Sequence, residues 1–265
     1  MMQVPPLLVE REGSVVTLTL NRPESGNALN QEMVEALLRE ALRCDNDDSV
    51  RCVVLTGAGR TFCSGGDIGN FRTAGASIAE MVSEGASMLH VTLSKLIRMN
   101  KPLVVLVNGP AGGAGFSLAL IGDIVIASPS AYFTAGYSAI GMTPDGGLTW
   151  MLPKLVGLRR AQEMILTNRK IGAEEAAAIG LITRVVSEDV FAEEGAKTAA
   201  VMAGAATGAL AAARSLLLQG FGNGLETQFE LEARAIAHAS AGAEAREGIA
   251  AFAERRKPVF DTVAR

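Results

Sequence analysis

The sequence has few of the residues that build disulfides, metal sites or histidine-based catalysis. Its 265 residues include three cysteines and two histidines. Cys44, Cys52 and Cys63 form no CxxC pair, and their spacing is irregular. A disulfide framework and a cysteine zinc site are therefore excluded, and a reducing, cytoplasmic location is expected. No metal-ligand cluster is evident elsewhere in the sequence.

Blocks of one charge and long uninterrupted apolar runs are also missing. The formal net charge of −4 is spread along the chain, so no basic stripe indicates a nucleic-acid partner. The N-terminal segment lacks the charged region and apolar run of a secretory signal. The charge-free run over residues 103–121 contains Asn-Gly-Pro and four glycines, which predicts strand, turn and helix instead of a membrane span. We therefore expect neither a nucleic-acid nor a membrane partner.

What the sequence does contain is an alternation of strand and helix patterns, with a hydrophobic content of 49% that is ample for a core. Residues 15–20 alternate as a strand does, and Asn30 then caps a helix with apolar residues at helical spacing. Further strands are predicted at 51–56, 103–107 and 123–127. This order predicts an α/β fold with largely parallel pairing.

The alternation ends near residue 186. From there the sequence is rich in alanine and glutamate, with apolar residues at helical spacing, for example Leu225, Phe229, Ala233 and Ile236. We expect a helical C-terminal segment that covers the core or a neighbouring subunit.

Two glycine-rich turns follow predicted strands, and neither completes a familiar nucleotide or hydrolase motif. The third glycine of a dinucleotide-binding GxGxxG is replaced by Phe62 in the first turn and by Leu118 in the second. The stretch GFSLA resembles the GxSxG elbow of hydrolases but ends in alanine, and only His90 and His238 could complete a triad. Both readings are disfavoured.

Both turns expose backbone N–H groups, and glycine lets another molecule approach them closely. Two such groups aimed at one point would form an oxyanion hole, although glycines can also simply turn the chain. The apolar stretch that follows contains TPDGG at 143–147, which places Asp145 between a proline and two glycines. By itself this pattern is also typical of a turn and a helix cap.

Three segments together resemble the crotonase, or enoyl-CoA hydratase/isomerase, superfamily: TFCSGGDIGNF (61–71), VNGPAGGAGFSLALIGDIVIA (107–127) and IGMTPDGGLTWMLPKLVG (140–157). Further matches run from LNRPESGNALN near the start to EGIAAFAERRKPVF near the end. The resemblance implies a crotonase-like spiral of ββα units. Residues 1–200 would form the core with the active site, and residues 201–265 a helical trimerisation or lid region of a homotrimer or dimer of trimers.

The resemblance also implies an acyl-CoA thioester substrate, whose carbonyl oxygen would be bound by the backbone N–H groups of Gly66 and Ala114. Coenzyme A is then part of the substrate, and no other cofactor or metal is required. The implied coenzyme A contacts are Arg22, Ser64, Gly65, Asp67 and Ile68. The basic cluster at 255–257 of another subunit is an alternative to Arg22 for the phosphates.

The carboxylates decide which reaction the resemblance implies. Hydratases of this family add water with two glutamates, and the matching positions here are Ser117 and Tyr137. The usual hydration apparatus is therefore absent. Asp145 matches the single aspartate of the family's isomerases, and one carboxylate can remove a proton from C2 of a 3-enoyl thioester and return it at C4. We therefore expect an enoyl-CoA isomerase.

Three alternatives stay open at this point. One is an enoyl-CoA hydratase with a non-standard residue set, and another is a non-catalytic acyl-CoA-binding subunit. The third is a halobenzoyl-CoA dehalogenase, in which a histidine matching His90 activates water while the residue matching Asp145 attacks the ring. Tyr137 stands where those dehalogenases have tryptophan. For His90 itself, a packed or solvated side chain is favoured over a catalytic one.

Overall fold

The structure, a computed structural model, describes residues 4–69 and 75–261. The last two residues of the glycine-rich motif at 61–71 lie outside the described residues, as do the ends of the two predicted regions at 1–3 and 262–265.

The described strands form a six-stranded and a three-stranded sheet. The larger sheet has the order β1-β2-β3-β4-β6-β9, in which only β1 and β2 are antiparallel. In the smaller sheet β5 pairs parallel with β7, and β7 pairs antiparallel with β8. The strands are β1 Leu7–Glu12, β2 Val15–Leu20, β3 Cys52–Gly57, β4 Leu103–Val107, β5 Ala111–Gly112, β6 Ile124–Ala127, β7 Tyr132–Thr134, β8 Ile171–Gly172 and β9 Arg184–Val185.

The α-helices are interspersed with the strands up to β9, and after β9 the described residues contain helices alone. Short 3₁₀ turns lie at Pro23–Ser25, Gly75–Ser77 and Ser138–Ile140. The helices are α1 Gln31–Asn46, α2 Ile78–Arg98, α3 Ala114–Ala119, α4 Leu148–Val156, α5 Leu158–Thr167, α6 Ala173–Ala178, α7 Phe191–Gly204, α8 Thr207–Gly220, α9 Leu225–Ser240 and α10 Ala243–Glu254.

Both faces of the larger sheet are buried at its inner strands, which explains why these strands are apolar throughout. On β3, Val53 and Leu55 face the main core, which also contains buried residues of α1 and α2. The intervening Val54 faces a second cluster completed by Ala199 and Ala203 of α7. The Asn30 side chain accepts a hydrogen bond from the Met33 N–H at 3.0 Å, so α1 begins where the sequence predicts.

The smaller sheet brings the two glycine turns together. Cys63, in the first turn, forms an isolated parallel bridge with Ala111 of β5, and Gly66 forms another with Leu29. The α/β fold with largely parallel pairing and a helical C-terminal segment is confirmed.

Some elements differ in detail from the sequence-based expectation. The strands β1, β5, β7, β8 and β9 were not predicted, and four of these five contain only two or three residues. The proposed boundary at residue 200 falls inside α7. Within the described ranges no single helix combines the length and apolar character that crossing a bilayer requires; α7 and α8 meet these criteria only as a pair, bent by 100°.

Candidate active site

The first glycine turn is fixed by backbone hydrogen bonds on both sides of Gly66. The Gly65 carbonyl accepts from the Leu29 N–H at 2.8 Å, and the Asp67 N–H donates to the Leu29 carbonyl at 3.1 Å. Gly65 has a φ of +112°, which favours glycine. The Gly66 N–H between these bonds has no acceptor among the described residues. It is therefore available to a bound molecule.

The second glycine turn leads from β5 into α3. The Gly113 N–H donates to the Thr134 carbonyl at 3.1 Å, and the Gly113 carbonyl accepts from Phe116 and Ser117 in the first turn of the helix. Ala114 is the first residue of α3, so its N–H has no partner within the helix. No other acceptor for this N–H lies in the part of the chain that the structure describes.

The two turns lie against each other. A Cβ added to Gly65 would lie 3.0 Å from the Gly112 carbonyl oxygen and 3.5 Å from the Ala114 nitrogen. Gly66 and Ala114 both line a cavity of about 930 Å³, and Asp145 lines it as well. The apolar part of its wall comes from α1 and α2 and includes Val34, Leu38, Met81 and Met88. The structure thus brings the three residues predicted for catalysis to one cavity.

Asp145 is held at both its side chain and its main chain. Its carboxylate Oδ1 accepts a hydrogen bond from the Tyr137 hydroxyl at 2.6 Å. Its carbonyl oxygen accepts from the Ser117 hydroxyl at 2.9 Å and from the Leu148 N–H at 3.2 Å. The residue before α4 is Gly147, and no side chain caps this helix. The Asp145 carboxylate therefore faces Tyr137 and does not cap α4.

The Tyr137 hydroxyl is a neutral hydrogen-bond donor. Burial raises the pKa of Tyr137 well above its usual value, and the negative charge of Asp145 together with their hydrogen bond raises this pKa further. The phenol therefore keeps its proton at physiological pH. The sequence could not indicate this contact, because it depends on how the turn between Tyr137 and Asp145 folds back.

His90 lies on α2 beside the same loop. Its Nε2 accepts a hydrogen bond from the Gly146 N–H at 3.0 Å, although the residue as a whole is exposed. The exposed side chain agrees with a solvated histidine, and the contact with the residue after Asp145 was not predicted. In this arrangement the Nε2 lone pair is directed at the Gly146 N–H.

The predicted coenzyme A contacts surround the first turn, but Arg22 is already engaged. Its guanidinium lies 2.9 Å from the Asp67 carboxylate and donates to the Ala28 carbonyl at 2.7 Å. Ser64 and Ile68 are exposed, and Ile68 shows 55% of its surface. Arg22 thus ties its own loop to the first glycine turn, a pairing that the sequence did not indicate.

The basic cluster at 255–257 is only partly free. Arg256 forms ion pairs with Glu247 and Glu254, both at 2.6 Å. The hydrogen bond from Arg256 is the main cause that lowers the pKa of Glu247 to about 2. Arg255 and Lys257 form no ion pair with any described residue.

Comparisons with known proteins identify the family of this chain. The sequence model of the enoyl-CoA hydratase/isomerase family matches residues 10–263. The chain is 38% identical to the 1,2-epoxyphenylacetyl-CoA isomerase of Escherichia coli K12, over 96% of this chain and 97% of that protein. It is 41% identical to a Rhodobacter capsulatus protein named Probable enoyl-CoA hydratase, over 94% and 95%.

The fold comparison gives the same result. The crystal structure of an enoyl-CoA hydratase from Polaromonas sp. JS666 superposes with a TM-score of 0.91 at 32% identity, and covers 95% of this chain and 98% of that one. These relatives carry the names of different reactions, so the likeness alone does not select one reaction. The family and the crotonase fold predicted from the sequence are confirmed: the chain belongs to the enoyl-CoA hydratase/isomerase family of the crotonase superfamily.

Proposed function

We propose that this protein moves a carbon–carbon double bond within an enoyl-CoA thioester, with Asp145 as the acid and base. The Asp145 carboxylate removes a proton from C2 of a 3-enoyl thioester, and the electrons of that C–H bond form a dienolate. The Gly66 and Ala114 N–H groups bind the enolate oxygen. Asp145 then gives the proton to C4, which leaves the double bond between C2 and C3.

The observation that carries this proposal is the meeting of Asp145 with two unpaired backbone N–H groups at one cavity. Backbone donors aimed at a developing oxyanion are a large source of rate in enolate chemistry, with one donor worth about 3 kcal/mol. A single carboxylate suffices for the proton transfer, because the same proton leaves C2 and arrives at C4.

The alternatives are less well supported. Hydration needs an activated water, and the positions of the family's two glutamates hold Ser117 and Tyr137, which both donate to Asp145. In a dehalogenase His90 would activate water, but its Nε2 accepts from Gly146. A non-catalytic subunit would not need a carboxylate at the cavity, and Asp145 provides one there.

The test compares the wild type with Asp145→Asn on 3-enoyl-CoA and on 2-enoyl-CoA, with isomer and hydrated product measured separately by chromatography. We expect the wild type to isomerise and Asp145→Asn to lose about 100-fold to 10,000-fold in kcat, the usual contribution of a general acid–base group. The matched control is Asp48→Asn, an exposed aspartate that does not line the cavity, which should keep full activity.

Other products would support one of the alternative functions. Isomerisation that survives Asp145→Asn would overturn the assignment, and rapid addition of water by the wild type would favour a hydratase. Halide release from a haloaroyl thioester would favour a dehalogenase. Tight binding of CoA esters without turnover would favour a binding subunit.

For the coenzyme A part of the substrate, we propose that Ser64, Gly65, Asp67 and Ile68 contact it along the first turn, and that no separate cofactor takes part. Because Arg22 is paired with Asp67, its role is to shape this surface. The phosphates would then bind to the guanidinium nitrogen of Arg22 that does not contact Asp67 or Ala28, or to Arg255 and Lys257 of another subunit.

We also propose that the chain assembles as a homotrimer or a dimer of trimers through its helical C-terminal region. Large apolar side chains there are exposed in the single chain: Leu225 by 62%, Ile236 by 71% and Phe252 by 87%. A neighbouring copy that covers these side chains would remove their apolar surface from water, which stabilises association.

A further inference from the structure

The two residues that replace the glutamates of the family's hydratases both touch Asp145. Tyr137 donates its hydroxyl to the carboxylate Oδ1 at 2.6 Å, and Ser117 donates its hydroxyl to the carbonyl oxygen at 2.9 Å. The carboxylate Oδ2 has no donor among the described residues. Tyr137 therefore occupies one oxygen of the carboxylate, and within the described ranges the other oxygen is free.

Tyr137 also lies between Asp145 and the second glycine turn. A Cβ on Gly113, the residue before Ala114, would lie 3.9 Å from the Tyr137 ring carbon that bears the hydroxyl. The Tyr137 carbonyl accepts hydrogen bonds from Ile140 and Met142, which fix the turn that follows. The half-buried ring therefore lies near Gly113 while its hydroxyl donates to the carboxylate.

Ser117 packs directly against the Asp145 loop. It is 2% exposed, and a Cβ on Gly146 would lie 2.8 Å from the Ser117 Cβ. Gly146 has a φ of +60°, and its N–H donates to His90 on the other side. The loop is therefore held by Ser117 and His90 while Tyr137 holds the carboxylate.

We infer that Tyr137 is a positioning residue that occupies Oδ1 of Asp145, so that Oδ2 is the oxygen that removes and returns the substrate proton, and that Ser117 positions the loop beneath it. This inference rests on the proposed function. The Tyr137 O–H bond stays intact throughout: the proton passes from C2 to Oδ2 and from Oδ2 to C4. The tyrosine acts only through the carboxylate.

The decisive variant is Tyr137→Phe, with kcat and KM for 3-enoyl-CoA isomerisation measured at neutral pH. We expect kcat to fall about 10-fold to 100-fold, as a mispositioned base predicts, with KM changed less than about threefold. This split between kcat and KM separates a residue that acts through the base from one that binds the thioester.

Two controls separate positioning from simple damage. Tyr132→Phe alters the only other tyrosine of the chain, whose ring lies beside Lys170, and should leave kcat and KM unchanged. Ser117→Ala removes the donor to the Asp145 carbonyl oxygen and keeps the phenol that donates to the carboxylate. It should lower kcat less than Tyr137→Phe does.

A second measurement keeps the inference testable if Tyr137→Phe does not fold. With two tyrosines in the chain, incorporation of 3-fluorotyrosine should give two ¹⁹F resonances, which Tyr132→Phe assigns. We expect the Tyr137 resonance, and not the other, to shift in Asp145→Asn.

The outcomes distinguish this inference from the proposed function. An inactive Asp145→Asn together with an unchanged kcat in Tyr137→Phe would overturn the inference alone. An unshifted Tyr137 resonance would do the same. Full isomerisation by Asp145→Asn would overturn the proposed function and this inference with it.

Discussion

Gly115 of α3 lies directly against Cys63 of the first glycine turn. A Cβ added to Gly115 would lie 2.2 Å from the Cys63 carbonyl oxygen and 2.7 Å from its Cβ. These residues are close neighbours in the chain of Gly66 and Ala114, whose N–H groups line the cavity. The absence of a side chain at position 115 therefore lets the two donors share one site.

This contact predicts a large effect for Gly115→Ala. The methyl group must displace backbone, which costs about 2–3 kcal/mol in the free energy of unfolding. The matched control is Gly85→Ala in α2, where a Cβ would meet nothing within 4 Å and the replacement should be neutral or stabilising by up to about 1 kcal/mol. Urea unfolding followed by circular dichroism measures both. Equal stabilities of the two variants would contradict this account of the contact.

Ser117→Glu is expected to abolish isomerisation and not to create a hydratase. The larger side chain would enter the space of Gly146 and bury a carboxylate at a nearly inaccessible position, so the free energy of unfolding should fall by about 3 kcal/mol or more. Ser117→Ala, which removes one hydrogen bond, should cost only about 1 kcal/mol. Urea unfolding and an assay of water addition to 2-enoyl-CoA check the prediction, which a stable, hydrating Ser117→Glu would refute.

The buried thiols should be unreactive and should make stability depend on alkaline pH. Burial is the main cause that raises the pKa of Cys44 to about 11 and of Cys52 and Cys63 to about 12, from an ordinary value of 9.0. Above pH 9 the unfolded thiols ionise while the folded ones keep their protons. This contribution to stability is therefore complete below about pH 8 and is lost as the pH rises from 9 to 12.

A thiol-specific reagent at pH 8 should modify the native protein slowly and modify all three cysteines after unfolding in urea. Unfolding curves between pH 8 and pH 10.5 should show a steeper loss of stability in the wild type than in Cys52→Ala. Rapid labelling of the native protein, or identical pH slopes, would refute burial as the cause.

Assembly through the C-terminal helices predicts that Ile236→Asp and Phe252→Asp lower the molar mass measured by light scattering. Each change places a charge on a surface that a neighbouring copy would cover, and an unpaired charge there opposes association. Val9→Asp is the control, since Val9 is also exposed but lies on β1 at the edge of the larger sheet. A wild type with the molar mass of a monomer would contradict the proposed trimer.

The sequence predicts the long elements of this fold and misses the short ones for a physical reason. The strand β2 and the helix α1 are long enough for their periods to appear, and the inner strands β3, β4 and β6 are visible as continuous apolar runs. The strands β5 and β8 have two residues each, and two residues have no period. They exist because neighbouring backbone supplies their hydrogen bonds.

The site was also predicted only in part. Resemblance to a family placed Gly66, Ala114 and Asp145, and the structure brings these residues to one cavity. The contacts of Asp145 with Tyr137 and of Gly146 with His90 were not predicted. They join residues on different elements, so no local pattern in the sequence contains them. The roles of the site residues stay predictions until the variants are measured.

The packing of Ser117 against Gly146 couples two positions that lie far apart in the sequence. The Ser117 hydroxyl donates to the Asp145 carbonyl oxygen, and a Cβ on Gly146 would lie 2.8 Å from the Ser117 Cβ. A larger residue at position 117 would therefore require a compensating change in the loop at 145–147, and we expect these positions to covary among related sequences.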